Sequence, residues 1–312
     1  MFVKEVAGNG VVFFRSTLLP CPHGFATRIG GASREPHLAS LNLAFGRGDT
    51  RETVIENLKM LATAVGVPYE RVVSVPQIHS SDVRKIDKSQ AGQGYLEESA
   101  ESFDGYVTDE IMLPVGVKTA DCVPILFAFV REGKTLAVGA VHAGWRGTVG
   151  RICERCVDML SSEYGAEKKE IFAAIGPSIR SCCYEVGEDL YEAVRDGLGE
   201  SFCKKYIKEI CRESGVENPN KYKNTAKSGE EYNKKVEICD DGGIFKENAK
   251  NKPRYYADIA KMNREILISA GLPEANIDFS PLCTSCHSEL FFSHRKSRGI
   301  RGTMCNIIAR NQ

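Results

Sequence analysis

Five short runs rich in β-branched residues, at 12 to 16, 71 to 77, 113 to 119, 123 to 129 and 136 to 142, come before the first helical pattern, and they commit the chain to a fold built on sheet. The helical pattern that follows is capped at Thr148 and runs to about Ser162. It places Val149, Ile152, Cys153, Cys156, Val157 and Leu160 on one face, and Gly165 ends it. IFAAIG at 171 to 176 reads as a further buried strand. A helix is expected near Tyr256 to Ala270, closed by Gly271, and after it SELFFSHR and MCNIIA read as strands. From about Cys203 to Pro253 the composition shifts to Lys, Glu, Asn and Gly with few apolar anchors, the mark of a partly helical surface insertion, to which no chemistry is assigned. Strands that lead and then mix with helices predict an α/β mixed-sheet sandwich, one domain over 1–312 carrying an insertion at about 203–253.

With 312 residues and 42% hydrophobic content, the chain can bury a substantial core. Its 41 basic and 41 acidic side chains cancel, so it has no overall field of the kind that draws proteins to nucleic acid or anionic membranes. The N-terminus lacks a basic start followed by a sustained apolar core, and no stretch approaches a membrane span, so the expected location is the cytoplasm. Twelve cysteines in so long a chain are too sparse for a disulfide scaffold and suggest reduced thiols, some available to metal.

Three segments carry a good metal ligand where a strand is expected to end: QIHSSDV around His79, TADCVP around Cys122 and VHAGWRG around His142. Two imidazoles and a thiolate suit zinc and leave a fourth position for water or substrate, whereas each segment alone fits a structural residue equally well. In HAGWRG two glycines flank the only tryptophan, as in a turn that lets backbone approach a ligand closely or simply a tight strand-to-helix turn. Asp121 and Asp82 suit the role of orienting a ligand, or that of cap and turn residues.

HSSDV, FDGYVTD, TADCVPILF, VGAVHAGWRGT, AIGPSIRSCCYEVG and FFSHRK together resemble the YfiH family, whose members are often described as laccase-domain proteins. The resemblance implies zinc bound by His79, Cys122 and His142. It also implies phosphorolysis of adenosine, inosine, guanosine and methylthioadenosine, with adenosine deamination as a second activity. Purine nucleoside and phosphate are then the expected partners. Phosphate calls for arginines, and the candidates are Arg47 in AFGRGD, Arg146 beside Trp145, and Arg295 in SHRK. For deamination, Asp104 and Asp121 are the candidate proton shuttles, although the usual HxE and PCxxC pattern of zinc deaminases is missing. The family's C-terminal pair of arginines is Arg295-Lys296 here, with Arg301 as a replacement in shifted register.

Other classes remain open at this level. Copper polyphenol oxidation draws on many histidines, and only six occur, so copper is the less favoured metal. Cys122 activated by His79 or His142 would make a cysteine hydrolase. A non-catalytic zinc-binding factor would normally supply four ligands, and only three stand out. Cys283-Thr284-Ser285-Cys286-His287 matches the haem-attachment pattern CxxCH, but that chemistry follows export, and a buried structural role is preferred to a redox role or a second metal. Cys153/Cys156 and Cys182/Cys183 are read as structural as well.

Overall fold

The computed structural model describes residues 1–209 and 253–311. With strands numbered in chain order, one antiparallel sheet contains β1 (Phe2–Val6), β2 (Val12–Ser16), β3 (His23–Ala26), β6 (Val115–Thr119) and β14 (Met304–Ile308), in the order β1-β2-β3-β14-β6. A second, mixed sheet contains β4 (Val83–Lys85), β5 (Gly105–Thr108), β7 (Val123–Arg131), β8 (Lys134–Ala143), β9 (Ile171–Ile175) and β13 (Ile277–Phe279), in the order β13-β9-β7-β8-β5-β4. Its two outer pairs, β13 with β9 and β4 with β5, are parallel, and the inner pairs are antiparallel. A small third sheet joins β10 (Glu185–Val186), β12 (Tyr255–Ala257) and β11 (Ile207–Glu209).

Successive side chains on a strand point to opposite faces, and β7 uses both. Leu126 and Ala128 enter the core shared with Phe25, Val115, Val117 and Ile307 of the first sheet. Ile125, Phe127 and Phe129 face the opposite way, into a core with the helices. β8 divides in the same manner, with Val138 and Ala140 on one side and Ala137 and Val141 on the other. A strand covered on both faces has no solvent side, so its sequence is continuously apolar. The layers are therefore sheet, sheet and helix, the α/β mixed-sheet sandwich expected from the sequence.

The helices are α1 (Arg51–Val65), α2 (Trp145–Val149), α3 (Ile152–Tyr164), α4 (Glu188–Leu198), α5 (Glu200–Tyr206) and α6 (Ile259–Ser269). α3 buries the expected stripe Ile152, Cys153, Cys156, Val157 and Leu160, and Gly165 ends it in the left-handed conformation. The single expected helix from Thr148 is instead two, because Arg151 adopts a left-handed conformation between them. Thr148 is not a cap: it sits inside α2, and its Oγ1 accepts from Asn263 Nδ2 of α6 at 2.8 Å. α6 starts later than expected because Asp258 caps it, accepting from the Lys261 backbone N–H, and Tyr256 belongs to β12.

Two expected strands do not form. In 71 to 77 only Val73 makes an isolated bridge, to Val115; Ser74 N–H donates to Gln93 O and Val75 N–H to the Tyr106 hydroxyl, so loops satisfy the backbone although Val72, Val73 and Val75 are buried. SELFFSHR forms turns, with Phe291 N–H donating to His287 O, while MCNIIA is β14 as expected. Of the expected insertion, 210 to 252 lies outside the described residues. Its described start contains Cys203, which is buried in α5.

Candidate metal centre

The three expected ligands come together at one end of the mixed sheet. His142 lies near the end of β8, Cys122 directly precedes β7, and His79 lies on the loop before β4. The antiparallel pairing sets Val123 opposite Ala143 and Pro124 opposite His142, which fixes Cys122 beside His142. The ligand atoms of the three residues lie within 4.8 Å of one another, and Cys122 Sγ is 3.9 Å from His79 Nε2. His142 is buried, Cys122 half-buried and His79 exposed, so the group opens toward solvent on the His79 side.

Asp104, on the residue before β5, holds this geometry. Its carboxylate accepts from the backbone N–H groups of Ile78, His79 and Ser80 and from the Ser80 hydroxyl. It also accepts from His142 Nδ1 at 2.8 Å. That bond leaves His142 Nε2 facing the cluster, and the loop bonds restrain His79, whose φ of 60° is left-handed. Burial would raise the Asp104 carboxyl, but the bonds from His142 and Ser80 hold it below the usual carboxylate range.

The glycines of HAGWRG do approach something closely, namely the His79 loop. A Cβ on Gly144 would lie 2.9 Å from His79 Cδ2 and 3.6 Å from Cys122 Sγ, and one on Gly147 would lie 2.8 Å from Ser80 O. Burial would push the Cys122 thiol up, yet the neighbouring His142 and His79 draw it down to about 6. Burial would pull His142 down, but the Cys122 thiolate and Asp104 raise it to about 9. Cys122 and His142 thus favour each other's charged forms.

Asp121 adopts a left-handed φ of 103° next to Cys122. Its carboxylate accepts from Thr284 Oγ1 at 2.6 Å and from the Arg295 backbone N–H at 2.7 Å, ties to the C-terminal segment that no local motif announces. The Asp82 carboxylate forms an ion pair with Arg84. Of the expected arginines, Arg146 is exposed and stacks over Trp145 at 4.1 Å, and Arg295 is exposed and lies 5.3 Å over Tyr184. Arg47 is exposed too, and its charge acts on both His294 and Arg301.

Arg301 is the more telling cation. Burial lowers its basicity and Arg47 lowers it further, while Asp121 and Cys122 oppose them, so it stands within electrostatic reach of Cys122. Its Nη1 donates to Gly302 O and Thr303 Oγ1, but its Nε is buried without an acceptor. A buried donor of this kind is costly unless something accepts from it.

All six histidines lie among the described residues, and in the groups that the described residues form, only His79 and His142 among them take part in one able to hold a metal. Among the described residues no helix is long and apolar enough to cross a membrane.

The model of a family described as multi-copper polyphenol oxidoreductase laccase matches residues 22–215 and 216–311. The purine nucleoside phosphorylase YlmD of Geobacillus stearothermophilus is 33% identical over 93% of this chain and 90% of its own length. The adenosine deaminase RL5, from an unknown prokaryotic organism, is 32% identical over 87% of each chain. The crystal structure of Bacillus licheniformis YfiH superposes with a TM-score of 0.78 at 27% identity, covering 99% of both chains.

Proposed function

The chain belongs to the laccase-like YfiH family, and from that premise we propose that it is a zinc-dependent purine nucleoside phosphorylase that cleaves adenosine, inosine, guanosine or methylthioadenosine with phosphate. The observation that carries this reading is the open His79, Cys122, His142 group with the Arg301 guanidinium within electrostatic reach of Cys122. The donor set fits zinc, because two nitrogens and a soft thiolate within 4.8 Å of one another supply three ligands and leave a position open. Zinc held there would act as a Lewis acid toward the purine end of the substrate.

The protein's own groups account for the rest. Phosphorolysis needs a phosphate oriented toward the sugar carbon and water kept away from the same carbon. Arg301, Arg47 and Arg295 provide positive charge beside Asp121, the charge that a phosphate requires. Asp104 positions His142 and the His79 loop, its oxygens being committed to five donors. Asp121, with two committed contacts, is the better placed of the two carboxylates to pass a proton to the departing base. Deamination of adenosine, the activity named for RL5, is a second reaction of the same pocket.

One observation favours a rival. Cys122, His142 and Asp104 line up as nucleophile, base and orienting acid, the order used by cysteine hydrolases. Metal content together with base release from adenosine and inosine, with and without phosphate, separates the two for the native protein and Cys122→Ala. Zinc at the site and phosphate-dependent base release, both lost in Cys122→Ala, are expected. Native protein with this first site empty of zinc and without base release would replace the phosphorylase by the hydrolase.

A further inference from the structure

A second cluster of soft ligands lies beside the first and shares no residue with it. Cys182, Cys183, Cys283 and Cys286 have their sulfur atoms within 4.8 Å of one another. Two turns bring them together. After β9 the chain turns at Arg180, whose carbonyl accepts from the Cys183 and Tyr184 N–H groups. After β13, which runs parallel to β9, Cys283 bridges Ser178, and the Cys283 carbonyl accepts from His287 N–H at 3.0 Å. The Cys286 backbone N–H donates to Cys283 Sγ, so the CxxC segment folds into the small turn that presents both sulfurs on one side.

We propose that these four cysteines bind one zinc ion in a tetrathiolate site that clips the 180–184 turn to the 283–287 turn. Zn–S bonds of about 2.3 Å place the sulfurs of a tetrahedral site about 3.8 Å apart. Cys286 Sγ lies 3.4 Å from both Cys182 Sγ and Cys183 Sγ, close to that edge and far from the roughly 2.05 Å of a disulfide. One sulfur equidistant from two others suits a shared cation, since a disulfide can take only one of them. A polynuclear iron–sulfur cluster would interpose several irons and spread the sulfurs beyond 4.8 Å, whereas four soft thiolates at this spacing select a single tetrahedral ion.

Cys283 is buried and the other three are half-buried, and four thiolates would complete a tetrahedral shell, without the open position the first centre keeps. Four sulfur–zinc bonds form as four thiol protons pass to solvent, and no oxidant is required.

The clip sits where it can fix the first centre. Thr284, between the two cysteines of the CxxC turn, donates to Asp121, and Arg295 Nη1 donates to Cys183 O. A buried pair, Arg180 with Asp258, anchors the other turn through two hydrogen bonds at 3.1 and 3.0 Å.

Zinc per chain, measured by mass spectrometry on full-length protein purified without chelator, tests the proposal for native protein, Cys122→Ala and Cys183→Ser. About one zinc retained in Cys122→Ala, and released as a mercurial titrates its thiols, is the expected result. Cys183→Ser should lose about one equivalent relative to native protein. If Cys183→Ser does not fold, the Cys122→Ala measurement decides alone. Metal-free Cys122→Ala, a disulfide among these four cysteines found by mass mapping, or iron in place of zinc would overturn the proposal. Loss of zinc from the first centre alone leaves the Cys122→Ala content untouched, so the two sites fail separately.

Discussion

Gly144→Ala tests the geometry of the metal centre with one added carbon. Gly144 has φ −65° and ψ 171°, a conformation open to alanine, so the substitution brings no backbone strain. The new Cβ would lie 2.9 Å from His79 Cδ2, against an ordinary carbon contact of about 3.5 Å, so the imidazole must recede by about 0.6 Å. Metal–ligand distances tolerate about 0.2 Å, so one of the three ligands is pushed out of range. The His79 backbone is held by Asp104 but its side chain is exposed and can turn aside, which limits the cost to the site and spares the core. Misplacement on this scale lowers catalysis by about 100-fold. Zinc affinity, phosphate-dependent base release and the melting curve should be compared with native protein. The expected result is at least 10-fold weaker zinc binding and about 100-fold slower turnover, with a melting temperature within a few degrees of native. Native zinc affinity and activity in Gly144→Ala would refute the claim that this glycine exists to admit His79.

Arg301→Gln should raise the KM for phosphate by about 10-fold while zinc content stays at the native level, measured by steady-state kinetics at varied phosphate. Asp258→Ala should cost about 3 kcal/mol in urea unfolding, because it strands the buried Arg180 guanidinium. His23 has a folded value lowered from 6.5 to about 4, chiefly by burial, with the Cys21 carbonyl opposing. The unfolded chain takes up this proton first, so its stabilising contribution is full above about pH 6.5 and falls by about 3 kcal/mol as pH drops toward 4. His23→Gln should flatten that part of a stability-versus-pH curve, and an unchanged slope would assign the loss to other groups.

What could be read from sequence divides by the range of the interaction. α3 was legible because an apolar stripe and a terminal glycine are local signals, and β7 and β8 because strands covered on both faces are continuously apolar. The run at 71 to 77 misled for a physical reason: its valines are buried, but its backbone partners are a loop carbonyl and a tyrosine hydroxyl, which composition does not encode. α1, which is not among the helices expected from the sequence, also carries local signals: Thr50 caps it, and Val54, Leu58, Leu61 and Ala62 repeat at helical spacing. At the site, the three ligands were each flagged by a motif, whereas the bond from Asp104 to His142 joins residues 38 apart, and the ties from Asp121 to Thr284 and Arg295 span most of the chain.

The cysteine cluster shows the same division most clearly. Cys283 and Cys286 have recognisable spacing, but an adjacent pair such as Cys182 and Cys183 has none, and the two pairs are a hundred residues apart. The parallel pairing of the three-residue strand β13 with β9 makes them neighbours. The same pairing delivers Thr284 to Asp121 and starts the segment that returns through Arg295 and Arg301 to Asp121 and Cys122. A short parallel strand at a sheet edge is weakly held by its own hydrogen bonds, so a cation clamping the two turns that leave it would act where the architecture most needs a constraint.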